Sequence, residues 1–222
     1  MITVHHLNNS RSQRVLWLLE ELGQPYEIKH YQRDADTSLA PPELRQVHPL
    51  GKSPVITDGA LTVAESGAVL EYLVDKYGQG RLKPVDEQGL LHYRYFMHFA
   101  EGSAMPPLLM KLVFNRIKRA PMPFFVKPIA RGIADKVLSG FVQPNIDAQL
   151  KFLEAELTAR PWFAGAEFSA ADVQMSFPIE AAAARGGAMD GQPRLRDFLD
   201  RIHARPAYIR ALERGGPYDL MS

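Results

Sequence analysis

Two clusters of polar side chains stand where a helix is about to begin. In the first, Asn9, Ser10, Arg11 and Ser12 precede the apolar positions Val15, Leu18, Leu19 and Leu22. A hydroxyl there has two uses. It can cap orphan backbone N–H groups, and Ser10 stands three residues before Gln13, the spacing of a capping box. It can also donate to an anion held against the positive end of the helix dipole. In the second cluster, Glu65 and Ser66 precede the helical stripe Ala68, Val69, Tyr72 and Leu73. Free N–H groups at such a start bind carboxylates, and Ser66 can equally serve as a plain cap.

Other chemistries are excluded by what the chain lacks. The histidines at 5, 6, 30, 48, 92, 98 and 203 have no metal-ligand spacing, and no Gly-rich phosphate loop is present. Neither a metal nor a nucleotide is expected. There is no cysteine, so disulfides, Cys-rich zinc sites and cysteine nucleophiles are all closed. Any thiol chemistry must use a sulfur brought in by another molecule. With 26 Lys and Arg against 25 Asp and Glu, the net charge of +1 recruits neither nucleic acid nor membrane. One segment departs from this balance. Between Lys111 and Lys136 seven cations face one acid, Asp135, interleaved with Phe114, Ile117, Phe124, Phe125 and Val126. It reads either as a solvated helix face beside the cleft or as a surface for anions or membranes. The N-terminus lacks a secretory pattern and no uncharged stretch is long enough to span a bilayer, so a cytoplasmic protein without integral membrane association is expected.

The elements that must hold these residues can be read in order. Ile2 to Leu7 alternates and is rich in β-branched residues, predicting a strand. The helix beginning near Ser10 ends at Gly23, with Pro25 beyond it. Tyr26 to Tyr31 alternates again, making a βαβ unit with parallel strands. Pro41 and Pro42 suit the start of a short helix at Glu43 and Leu44. Asp58-Gly59 between two β-rich runs predicts a hairpin with a type I′ turn. A helix capped by Ser66 and ended by Gly78 completes an α/β domain over residues 1–82.

Residues 83–222 form a second domain, all helical. A helix from Glu87 to Phe99 should run until Pro106-Pro107 bends or stops it, and Pro144 should kink or divide another between Ile129 and Leu157. Pro121, Pro123 and Pro128 break any continuous helix in the basic segment. Ser169 with Asp172 forms a capping box, with Phe168 and Val173 placed as a hydrophobic staple. The stripe Leu195, Phe198, Leu199 and Ile202 predicts a terminal helix ending at Arg205-Pro206.

The string His48-Pro-Leu-Gly-Lys-Ser-Pro54-Val-Ile, followed by Glu65-Ser66 opening a helix, resembles the glutathione site of the cytosolic glutathione transferases. Ser10 to Leu22 is similar to helix one of the serine-type branch, notably small bacterial and fungal members. The resemblance spans residues 2–212 and implies an N-terminal thioredoxin-like domain, βαβαββα, before the helical one. It implies that Ser10 favours the glutathione thiolate, with Asn9 and Ser12 as neighbouring candidates. Pro54 would be cis, leaving the backbone of Ser53 to pair with the cysteinyl part. Ser66 would take the γ-glutamyl carboxylate and Glu65 its ammonium, with Glu101 a further acid toward that amine. Lys52 would meet the glycyl carboxylate. The basic residue many relatives place about a dozen positions earlier is missing from Thr37-Ser38-Leu39-Ala40, and Arg11 is a substitute. Met105, Leu108, Leu109 and Phe114 would wall a hydrophobic co-substrate site, or belong to the core.

The reading is a homodimeric glutathione transferase of detoxification type, with glutathione as co-substrate and an apolar electrophile as acceptor. A glutathione-dependent peroxidase or disulfide reductase, and a noncatalytic ligand- or partner-binding module of the same fold, are the alternatives.

Overall fold

The computed structural model describes residues 1–35, 37–184, 189 and 191–218. Its sheet has the order β2-β1-β3-β4, with β1 Ile2–Leu7, β2 Tyr26–Tyr31, β3 Val55–Asp58 and β4 Leu61–Ala64. Strands β1 and β2 are parallel, as the intervening α1, Ser12–Leu22, requires. Strand β3 runs antiparallel to β1 and pairs with β4. Short α2, Leu44–Val47, follows the proline pair, and α3, Ser66–Tyr77, closes the thioredoxin-like unit.

The hairpin differs from expectation by one residue. Asp58 pairs with Leu61, so the loop is Gly59-Ala60, and of the two only Gly59 has a positive φ, at 60°. That is the type II′ requirement rather than I′. Asp58 instead serves α3, accepting from Tyr72 Oη at 2.8 Å, Lys76 Nζ at 2.7 Å and the Tyr77 hydroxyl.

Prolines divide the helical part as the sequence requires. Helix α4, Glu87–Phe99, passes through a π-helical turn, Ala100–Ala104, into α5, Met105–Arg119. Pro107 has no N–H to give the Ser103 carbonyl, and Gln149 Nε2 supplies the missing donor at 2.9 Å. Helix α6, Lys127–Val137, likewise meets α7, Gln143–Ala159, through a π-helical turn just before Pro144. Helix α8, Ala170–Ala184, is buried along most of its length. Its start uses the predicted box: Asp172 accepts from the Ser169 N–H at 2.8 Å and from the Phe163 N–H at 2.9 Å.

Helix α9, Pro193–His203, is not the last. Pro206, read as a stop, occupies the first turn of α10, Pro206–Gly215, where its missing N–H costs nothing. Helix α10 lies on α1, tied by Arg210 and Arg214 to Glu20 and by Arg205 to Glu21. Gly215 permits the close approach, because a Cβ there would fall 2.7 Å from Gln13 Oε1 and 2.8 Å from Leu16 Cδ1.

Candidate functional site

The turn from β1 into α1 carries the hydroxyls, but not as a capping box. Arg11 is the N-cap and makes no side-chain cap, and both polar atoms of the Gln13 amide are buried without a partner. Ser10 Oγ instead accepts from the Ser12 N–H at 3.2 Å and lies 2.7 Å from Ser12 Oγ. Ser12 Oγ lies in turn 2.9 Å from His6 Nδ1. Three side chains thus form a hydrogen-bonded file from the helix start into the interior. Ser12 is fully buried at the middle of this file; Ser10 is 3% exposed, and Asn9 is half-buried with φ 48°.

Burial, aided by the neighbouring His30, pushes the His6 pKa down to about 4, and a hydrogen bond to the Gly215 backbone only partly offsets this. The ring is neutral near pH 7. A neutral imidazole has one N–H, so its tautomer decides which way protons point along the file. The backbone bond to Gly215 favours the protonated ring, so His6 donates it, and with Nδ1 facing Ser12 the one proton of the neutral ring sits on Nε2. Nδ1 then accepts from Ser12 and Ser12 from Ser10, whose hydroxyl turns away from Ser12 to donate to a bound anion.

Arg11 and Glu101 meet each other. Arg11 Nε lies 3.0 Å from both Glu101 carboxylate oxygens, and Arg14 Nη2 lies 2.5 Å from Oε1. Two guanidinium groups hold the Glu101 carboxyl below its usual range against the opposing effect of burial. Arg14 is 1% exposed, and its second anchor comes from a proline. Pro178 inside α8 cannot donate to the Gln174 carbonyl four residues back, and that freed oxygen accepts from Arg14 Nη1 at 2.6 Å. Both guanidinium groups also lie over the Phe177 ring, at 5.0 and 5.3 Å. The cluster clamps α1 to α4–α5 and α8, engaging Glu101 with two guanidinium groups and Arg11 through its Nε.

Just before β3 the Ser53–Pro54 peptide is cis, and Ser53 Oγ donates to the His5 carbonyl at 3.0 Å. Glu65 is exposed and is the N-cap of α3, held at φ 72°, ψ 129°. A non-glycine residue there is strained, which is common where a ligand is gripped. Ser66 is therefore the first residue of α3 and not its cap. Lys52 is exposed. Of the expected co-substrate wall, Met105 and Leu108 are buried in the main core, whereas Leu109 is 53% exposed and Phe114 half-buried. Core packing accounts for the first two.

The glutathione S-transferase N-terminal domain model matches residues 1–75, and the C-terminal domain model matches residues 121–206. The chain is 38% identical over 216 residues to glutathione S-transferase 3 of Schizosaccharomyces pombe, covering 96% of this chain and 88% of that one. It belongs to the glutathione transferase family. A solved glutathione S-transferase from Actinobacillus pleuropneumoniae superposes with a TM-score of 0.76 at 30% identity, covering 99% of this chain and 95% of that one. A sphingomonad glutathione S-transferase solved in complex with glutathione shares the fold, with a TM-score of 0.73 at 22% identity over 96% and 98% of the two chains.

Two features of this transferase are not evident from its sequence pattern. Arg33, just after β2, donates to the Asn8, Asn9 and Ser38 carbonyls at 3.2, 3.4 and 3.0 Å. It braces the backbone of the Asn9 turn, and its own pKa is lowered by burial and by the nearby charges of Arg11 and Arg116. The only sequence signal is a basic residue two positions past an alternating strand. The second feature is the transferase's Ser12–His6 support behind Ser10. It follows from β1 and α1 being consecutive, which brings a strand residue under the helix start.

Proposed function

We propose that this enzyme conjugates the glutathione thiolate to an apolar electrophile, as a homodimeric detoxification enzyme of the cytoplasm. The observation that carries the reading is the file Ser10–Ser12–His6, a hydroxyl donor at a helix start with two hydrogen-bonding groups behind it. A free thiol of pKa about 8.5 is only a few per cent ionised at neutral pH, and the thiolate is the nucleophile. Ser10 donates to that thiolate, and the α1 terminus adds its positive field. Held in place before reaction, these groups need no reorganisation as the sulfur attacks. No covalent bond to Ser10 forms.

In this reading the domain boundary falls at 82/83, between the last strand-bearing unit and the helices that begin at Glu87. The Ser53 backbone pairs with the cysteinyl residue. Ser66 and the free N–H groups of α3 take the γ-glutamyl carboxylate, Glu65 its ammonium, and Lys52 the glycyl carboxylate. Leu109 and Phe114 on α5 face the co-substrate. Asn9 is the competing donor, favoured by its greater exposure at the mouth of the turn.

Titration calorimetry with glutathione, followed by assays against an aryl halide, a hydroperoxide and a small disulfide, tests the proposal. Binding together with aryl halide conjugation is expected. Absence of binding at millimolar glutathione would remove every enzymatic reading, and turnover of hydroperoxide or disulfide alone would replace transfer with thiol exchange.

A further inference from the structure

The α5–α6 hairpin ends in a turn that the other described residues leave exposed. The Val126 N–H donates to the Pro123 carbonyl at 3.0 Å, and this turn presents Phe124 and Phe125 at 84% and 64% exposure. Their rings pack edge to face, 5.6 Å apart, against each other. The apolar surface continues along α6, where Ile129 and Ile133 follow Phe125 at four-residue steps and are 64% and 60% exposed. Cations flank it along the chain: Arg116, Lys118 and Arg119 in the last turn of α5, and Lys127, Arg131 and Lys136 on α6. The single acid of the segment, Asp135, is bound to Lys118 at 2.5 Å.

We propose that this hairpin tip is a docking surface for an anionic lipid membrane, into whose interface Phe124 and Phe125 insert while the flanking cations meet the headgroups. An exposed aromatic pair between two cation-bearing helix segments has the two properties such a surface rewards, apolar area and electrostatic attraction. Charge favours an anionic surface over a second copy meeting the same patch on a two-fold axis, where like charges would face each other. Among the described residues no helix is long and apolar enough to cross a bilayer, so attachment through the tip is peripheral. Each cation near an anionic leaflet strengthens partitioning by about fivefold, and the attraction weakens with salt.

Co-sedimentation of the full chain with vesicles of phosphatidylcholine alone, and of phosphatidylcholine with phosphatidylserine, tests this. Binding is expected only with the anionic lipid, falling as salt is raised above about 0.1 M. Both F124S/F125S and K127E/R131E should weaken it by about tenfold or more. These side chains are exposed, so an unchanged thermal midpoint and unchanged conjugation in solution are expected and verify the fold. The proposal is overturned by absence of binding to anionic vesicles, or by binding that survives both double variants. It is overturned equally if light scattering shows a dimer that F124S/F125S dissociates, which would make the tip a subunit interface.

Discussion

Replacing Glu101 by Gln keeps its shape and removes one charge, and the consequence follows from what lies beneath it. Arg14 is 1% exposed and its guanidinium has two acceptors, Glu101 Oε1 at 2.5 Å and the Gln174 carbonyl at 2.6 Å. Its Nε is buried without a hydrogen-bond partner, so no further acceptor in the described structure is hydrogen-bonded to the group. Breaking one partner of a buried pair costs about 3–5 kcal/mol, because the other charge stays desolvated. The Glu101 side chain is 31% exposed and water can enter, which places the cost near the lower end, about 3 kcal/mol. For a chain of this size that lowers the melting temperature by about 6–12 °C. Thermal and urea unfolding measure the loss, and calorimetry below the transition measures glutathione affinity. Affinity within about twofold of the parent is expected, since both Glu101 oxygens are already engaged by arginines. An E101Q variant of unchanged stability that binds glutathione tenfold more weakly would refute the clamp and return Glu101 to the ligand.

His6 supplies a pH signature. Its folded pKa of about 4 lies below the ordinary 6.5, so the unfolded chain takes up a proton that the folded one refuses. Stability should fall between pH 6.5 and 4 by up to about 3 kcal/mol, and H6N should flatten that part of a stability profile taken by urea titration. D172A removes the acceptor of the buried Ser169 and Phe163 N–H groups. A loss of about 2–4 kcal/mol in urea unfolding is expected, with residual helicity by circular dichroism showing whether α8 frays.

Much of this architecture is legible without coordinates, because periodicity and punctuation are local. The alternation of Ile2 to Leu7, the closure at Gly23 and the box at Ser169 each act over a few residues, and each appears in the structure. Local signals fail where a second element competes. Ser10 and Gln13 have capping-box spacing, but the hydroxyl turns to Ser12 because His6 lies below it on β1. Pro206 looks like a terminator, yet it starts a helix whose place is fixed by Glu20 and Glu21 on α1. The clamp was out of reach. Arg14 meets an oxygen 160 residues away that is vacant only because Pro178 lies four positions further on.

The proposed transfer depends on Ser10 holding the sulfur as an anion. Spectroscopic titration of the bound glutathione thiolate, in the parent and in S10A, tests it most directly. A hydrogen bond to a charged group contributes about 1.5–3 kcal/mol, equivalent to about 1–2 pH units of thiol ionisation. The parent should therefore ionise its bound thiol below the ordinary value, and S10A should raise the midpoint by about 1–2 units with little change in glutathione affinity. Superimposable curves for parent and S10A would contradict the account, and a shift found only in N9A would transfer the role to Asn9.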